Sequence, residues 1–288
     1  MEHILRPIYQ ERAGDPNTLG AILVEKVDEL SPTTDNFDSV LLLLVKEAEL
    51  PIFTKHYTYN NRITAMHIIT EAQLRKWLLL ATNKKLVDWL YNGRVVFDRN
   101  EFVSTLRKEL KDNPYYGRSI KMGIEFSKLL RRYQEGRVSF EQKNFFDAYH
   151  HMSESLLHLA RLSIIEEGNY PELMVWNQVR YFNAEVYRLN EEFIMSSESI
   201  EQRLELVFLA TEFMLNSKME ECSVHILRVM EEQTNWSIQQ LHEQEELKNY
   251  SINLEVFIEY LVDKGYIDIE RLETKTPNVY HRYYVVHG

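Results

Sequence analysis

The chain has 288 residues, 44% of them apolar, which is enough for two or three domains of about 100 residues each. Nine glycines and seven prolines are too few for a disordered or turn-rich all-β chain, and a single cysteine, Cys222, excludes an internal disulfide framework and a multi-thiolate metal site. The formal net charge is −11, and Lys plus Arg stand against Asp plus Glu at 16 to 16 in residues 1–118, 12 to 17 in 119–230 and 5 to 11 in 231–288, which argues against a large phosphate-binding surface in any segment.

The opening "MEHILRPIYQERAG" lacks a basic end followed by an apolar stretch, so no secretory signal is visible. "LGAILVEK" (19–26) is a short apolar run, and after a polar loop comes "SVLLLLV" (39–45), continuous enough for a strand covered on both faces. That second run is far shorter than the ~20 residues of a membrane helix, so no membrane association is expected, and a cytoplasmic location fits the cysteine usage. "HYTYNNRITAMHIIT" reads as a hairpin turning at Asn60-Asn61. Thr70-x-x-Gln73 is a capping box and predicts a helix from Glu71. A second helix, "KKLVDWLYN", is expected to stop at Gly93 in the left-handed conformation. "RVVFD" is another strand, after which Asn100 is placed to cap "EFVSTLRKEL". Irregular alternation of strands and helices through residue 118 predicts a mixed sheet with helices packed on it.

From Ser119 the strand signals vanish. "SIKMGIEFSKLLRRYQEG" is expected to end at Gly136, and "FFDAYHHMSESLLHLARLSIIEEG" at Gly168; "WNQVRYFNAEVYRLNEEF" and a helix pair inside 199–233 continue the 3.6-residue period of an antiparallel bundle. Cys222 sits in an apolar helical context and reads as a buried, inert thiol. In the last segment "WSIQQLHEQEELKN" is a helix, and Ser251 can cap a second, "INLEVFIEYLVDK", closing at Gly265. "YIDIERLE" and "VYHRYYVVH" then alternate as strands around Thr276-Pro277-Asn278. Helix, helix, hairpin is a winged-helix outline. The fold class expected is therefore α+β: a mixed-sheet domain (1–118), a helical bundle (119–230) and a small winged helix (231–288).

In this layout, and in "LGAILVEK…NFDSVLLLLV…RITAMHIIT…LVDWLYNGRVVFD", the chain resembles the nucleotidyltransferase-like family of bacterial proteins, which joins a nucleotidyltransferase-fold domain to a helical substrate-binding domain and a C-terminal winged helix-turn-helix. Active relatives carry Gly-Ser after the first strand to hold the triphosphate, Asp-x-Asp on the second, and a further Asp on a later one. Two divalent cations clamp the attacking and leaving oxygens, and several carboxylates must offset their charge; an i, i+2 spacing on a strand aims both acids the same way. The resemblance places Glu25-Lys26 at the phosphate-loop position, Asp38 at the first acid and Val40 at the second. "RITAMHIIT" has no acid, and His67 is its only ionisable residue after Arg62.

Three readings of Asp38 follow. It caps the loop before the strand; it ligates Mg²⁺ with Glu25, Asp35 or Glu71 folding inward; or the domain binds a nucleotide without turnover. If the protein is active, the resemblance implies Mg²⁺ and ATP, with Asp38 as metal ligand and Glu154 as general base toward a small hydroxylated or cationic acceptor. Asp147, His151, Glu154 and His158 share one helical face. His151 and His158 lie about 10.5 Å apart along it, too far for one ion, so a metal there would need ligands from another helix. Charge pairing on a solvated face explains the pattern equally. As an acidic wall of a cleft, that face would favour a cationic molecule. The aromatic clusters Tyr115-Tyr116 and Tyr280, Tyr283, Tyr284 read as packing surfaces. In the winged helix, Glu255, Glu259 and Asp263 face only Lys264. This argues against nucleic acid and for a protein partner on the acidic C-terminal domain, or for that domain as an intramolecular lid. The expected role is binding of a nucleotide or partner by a nucleotidyltransferase-like core with a degenerate metal motif. Nucleotidyl transfer is the alternative, and transcriptional regulation through the winged helix the third.

Overall fold

The structure, a computed structural model, describes residues 2–26, 32–80, 83–112 and 117–286; Tyr115-Tyr116 lie outside the described residues. The chain forms two compact units, Met1–Tyr116 with Gly168–Met174, and Gly117–Glu167 with Val175–Gly288.

The first unit is built on a five-stranded sheet of β1 (Thr18–Glu25), β2 (Ser39–Val45), β3 (Ile52–Tyr59), β4 (Arg62–Thr70) and β5 (Arg94–Asp98), in the order β3-β4-β2-β1-β5. Only β2 and β4 run parallel, so the sheet is mixed. Side chains alternate across a strand, and both faces are covered. Ile22, Val24, Val40, Leu42, Leu44, Ala65 and Ile69 pack under α2 (Glu71–Leu80), α3 (Lys84–Asn92) and α4 (Phe102–Asp112). Ala21, Leu23, Leu41, Leu43 and Met66 pack under α1 (Glu2–Ala13) through Leu5 and Tyr9. This is why β2 needs an unbroken apolar run: all of its residues are buried. The helix α1, which lacks a strong apolar period, was not anticipated.

The hairpin turns as expected, with Asn60 and Asn61 at φ 46° and 60°. Thr70 Oγ1 accepts from Gln73 N–H at 3.3 Å and starts α2. Two expectations are corrected. Gly93 ends α3 but is extended (φ −69°, ψ 146°), because the chain passes straight into β5. Glycine is required there by space, since a Cβ would lie 2.4 Å from both Ile22 Cγ2 and the Trp89 carbonyl oxygen. Asn100 does not cap α4; it sits in a 3₁₀ turn at φ 50°. The cap is Asp98, whose carboxylate accepts from Val103 N–H (2.8 Å) and Ser104 N–H (3.1 Å).

The second unit holds α5 (Arg118–Glu141), α6 (Phe145–Glu166), α7 (Val175–Phe182), α8 (Ala184–Met195) and α9 (Ile200–Met230). Helix α5 runs through Gly136 rather than ending there, since Gly136 packs against Met152 of α6. The segment read as one helix over 176–193 is two, because Asn183 caps α8 by accepting from Val186 N–H at 3.1 Å. The pair expected inside 199–233 is one helix, as Asn216 and Ser217 do not interrupt the period and Ser217 Oγ bonds back to the Met214 carbonyl at 3.0 Å.

The C-terminal part comprises α10 (Ile238–Glu243), α11 (Leu254–Asp263), β6 (Ile267–Glu273) and β7 (Tyr280–Val286). Helix α10 is shorter than expected, and Ser251 lies in a 3₁₀ turn at φ 52° instead of capping α11. Gly265 does adopt the left-handed conformation, φ 77°. A single bridge joins Trp236 to Tyr284 of β7, with Trp236 N–H donating to the Tyr284 carbonyl at 3.0 Å. This part shares its core with the bundle: Phe126 of α5 packs on Phe257 (5.2 Å between ring centres), and buried Tyr250 reaches His225 of α9 at 3.0 Å.

Candidate functional site

The strand ends singled out in the sequence do meet in the first unit. Glu25 pairs with Ser39 in the β1–β2 ladder, and Lys26 N–H donates to the Asp38 carbonyl at 2.9 Å. The Asp38 carboxylate accepts from Ile63 N–H of β4 at 2.7 Å, while Asp38 N–H donates to the Ile63 carbonyl at 2.9 Å. Asp38 thus extends the pairing of β2 with β4 by one side-chain bond. The partner of the carboxylate is the neighbouring strand β4, not the loop before β2. Val40, at the second acid position, is buried in the core.

The carboxylates that could have joined Asp38 are engaged elsewhere. Glu25 alternates to the opposite face of the sheet, with Arg94 3.8 Å away. Asp35 is paired with Lys85, and Glu71 with Arg75 at 2.8 Å. Among the described residues, no group of three or more His, Cys, Asp or Glu side chains converges as metal ligands would. His67 stacks on Trp89 (5.3 Å between ring centres), and its Nδ1 lies 2.9 Å from Thr54 Oγ1. Burial first, then the positive charges of His56 and Lys85, lower its pKa, which favours the neutral ring.

In the second unit the polar face of α6 does not point into solvent; it packs along α5. Glu154 lies 2.8 Å from Arg132 Nε, His151 Nδ1 lies 3.5 Å from Glu135, and His158 Nδ1 lies 2.8 Å from Glu125. Asp147 remains exposed. The residue at the centre is Glu125, which is buried and ringed by His158, Lys128 (2.9 Å) and Arg161 (3.3 Å). Burial pushes its carboxyl pKa up, but the His158 hydrogen bond and the charges of Arg161 and Lys128 outweigh that and hold it well below the ordinary range. Lys121, also buried, is lowered by burial to about 8.

Along this seam Lys128 and Arg161 meet Glu125, and Arg132 meets Glu135 and Glu154. The expected acidic face is therefore only in part acidic: Glu154 is paired with Arg132, while Asp147 is exposed. Sequence reasoning overlooked Lys121, Glu125 and Arg161. The available signal was charges recurring at helical spacing inside an otherwise apolar stripe of α5 and α6.

On the winged helix, Glu255 and Asp263 are exposed. Glu259 turns toward the hairpin, accepting from Arg282 at 2.8 Å and from the Tyr284 hydroxyl at 2.7 Å. Cys222 is buried, and burial pushes its thiol pKa up, as an inert thiol requires.

Compared with known proteins, the chain is 46% identical over 284 residues to protein YgxA of Bacillus subtilis (strain 168), covering 99% of this chain and 97% of that one. The chain belongs to the nucleotidyltransferase-like family. Residues 1–118 match its nucleotidyltransferase-like domain, 119–218 a YgxA-like substrate binding domain and 224–286 a helix-turn-helix domain. The crystal structure of a nucleotidyltransferase-like protein from Exiguobacterium sibiricum 255-15 superposes with a TM-score of 0.83 at 36% identity over 99% of both chains. In this member of the family, the ionic seam of α5 and α6 falls within the substrate-binding match. The helix-turn-helix match begins inside α9, so the end of that long helix supplies its first helix. No helix among the described residues is long and apolar enough to cross a membrane.

Proposed function

We propose that this nucleotidyltransferase-like protein acts by binding, with the fold of a transferase retained and its two-metal chemistry lost. The observation that carries this reading is the Asp38 carboxylate bonded to Ile63 N–H at 2.7 Å beside a buried Val40. One carboxylate already committed to a backbone donor does not offset the charge of two Mg²⁺ ions, and Mg²⁺ gives up its hydration shell reluctantly. The ligand of the core is a nucleotide or a protein partner. The acidic outer side of α11 favours protein over DNA as the partner of the winged helix.

Thermal melts with ATP, with and without Mg²⁺, test the core. Stabilisation by ATP is expected to be independent of Mg²⁺ and unchanged in Asp38→Asn, whose amide oxygen still accepts from Ile63. Asp38→Ala is expected to lose about 1–3 kcal/mol of stability in urea titrations, because Ile63 N–H is left without its partner. Mg²⁺-dependent stabilisation that disappears in Asp38→Asn would restore the transferase reading.

A further inference from the structure

We infer that the outer edge of β3, on which no strand pairs among the described residues, is a self-association surface, and that two copies of this chain join their sheets there by antiparallel pairing centred on His56. The inference is independent of whether the core binds a nucleotide.

The two ends of the sheet differ. Strand β5 is five residues long, pairs through a shifted register with β1, and is followed at once by a 3₁₀ turn. Strand β3 is eight residues long and pairs with β4 in unbroken register. It is exposed along its length apart from half-buried Tyr57, with Ile52 and Phe53 each 40% and Tyr59 51% accessible. Natural edge strands of this length are normally blunted by proline, bulges or several charges, and an unprotected one is a template for another strand. Here "IFTKHYTY" offers one lysine and one histidine, with no proline and no bulge.

The direction of the free groups follows from the hairpin. Tyr59 and Arg62 close a two-residue turn, so Tyr59, Tyr57, Lys55 and Phe53 direct their backbone groups toward β4. Ile52, Thr54, His56 and Thr58 therefore direct theirs outward. A two-fold axis requires one residue to face its own copy, because residues directly opposite share a face of the sheet. Two such registers engage the strand nearly end to end. Centring on Lys55 opposes two lysines, which is repulsive. Centring on His56 places Phe53 opposite the second copy's Tyr59, Lys55 opposite its Tyr57 and Thr54 opposite its Thr58. These are an aromatic pair, a cation on an aromatic ring and a hydroxyl pair, all favourable across strands. His56 exchanges both backbone hydrogen bonds with its counterpart.

Strand pairing alone buries less than the roughly 800 Å² per partner of a stable interface, so the dimer should be weak and concentration-dependent. Sedimentation from about 1 to 200 μM at pH 7.5 tests it, the upper end being where micromolar affinities populate the complex. The mass is expected to rise from 34.4 kDa toward twice that value. His56→Pro removes an outward N–H, which an edge strand tolerates, together with the ring contact to Phe37 (4.7 Å between ring centres), and should abolish the rise, whereas His56→Ala, which loses the same ring but keeps the N–H, should retain it. His56→Lys and His56→Glu should each be monomeric, and an equimolar mixture should form the heterodimer. A wild type that stays monomeric at all concentrations would overturn the inference. So would dimerisation that survives His56→Pro, or a Lys/Glu mixture that fails to associate.

Discussion

Replacing Glu125 by glutamine is expected to destabilise the second unit by about 3–5 kcal/mol, the range found when one partner of a buried ion pair is removed and the other is left uncompensated. The side chain is buried, and two cations and an imidazole converge on it: Lys128 at 2.9 Å, Arg161 at 3.3 Å and His158 at 2.8 Å. Glutamine keeps the shape and removes the charge, so the loss isolates electrostatics from packing. The pH dependence has a definite sign. The folded carboxyl is held below its ordinary range, so its contribution is complete above the unfolded value of about 4.3 and disappears as pH falls from there toward the folded pKa. Urea titrations from pH 7 to pH 3 should show wild type losing this increment on acidification and Glu125→Gln lacking it throughout. Glu135→Gln, on a half-exposed carboxylate with a side chain 36% accessible, should change stability by less than about 1 kcal/mol. A Glu125→Gln change of that small size would mean the cluster is solvated.

The second large effect is expected from Gly123→Ala. In an exposed helix interior this change stabilises by roughly 1 kcal/mol. Here the new Cβ would lie 2.2 Å from the Tyr250 hydroxyl and 3.1 Å from the Cys222 carbonyl oxygen. Tyr250 is fully buried between α5 and α9, where its hydroxyl meets His225, and it packs near Phe257 of the winged helix. Overpacking of this kind costs about 1–3 kcal/mol, and displacing the ring forfeits the hydrogen bond besides, about 1 kcal/mol more. The helical unit should melt earlier. Gly123→Ala combined with Tyr250→Phe should be less destabilised than the sum of the single changes, since the phenylalanine lacks the clashing oxygen. Additive losses would show that the two positions do not compete for the same space.

Where periodicity was strong, elements were legible from the residues. The buried run of β2, the Asn60-Asn61 hairpin, the Thr70 cap of α2, the two long helices α5 and α6 and the closing hairpin all follow from local rules that tertiary contacts reinforce. The errors have a common origin. Gly136 reads as a stop, but its lack of a side chain serves contact with Met152. Asn100 and Ser251 read as caps, yet both sit at positive φ in 3₁₀ turns. Asn183 reads as interior and is a cap. Glycine, asparagine and serine satisfy several structural demands, and neighbours distant in sequence choose among them. The same holds at the candidate site. The absence of a second acid at Val40 was plain in the sequence, whereas the partner of Asp38 lies 25 residues away on β4.

The α+β class, and the place of Val40 two residues after Asp38, could be read from the residues alone, because these depend on residue types and their spacing along one strand or helix. Only the tertiary structure decided what the remaining charges do. It turned Asp38 into a cap for a neighbouring strand. It set Glu154, His151 and His158 of α6 against α5, and it placed Glu125 between Lys128, Arg161 and the His158 ring. An ionisable group takes its role from the partners that surround it and from the water that folding removes, and neither is written in its position along the chain.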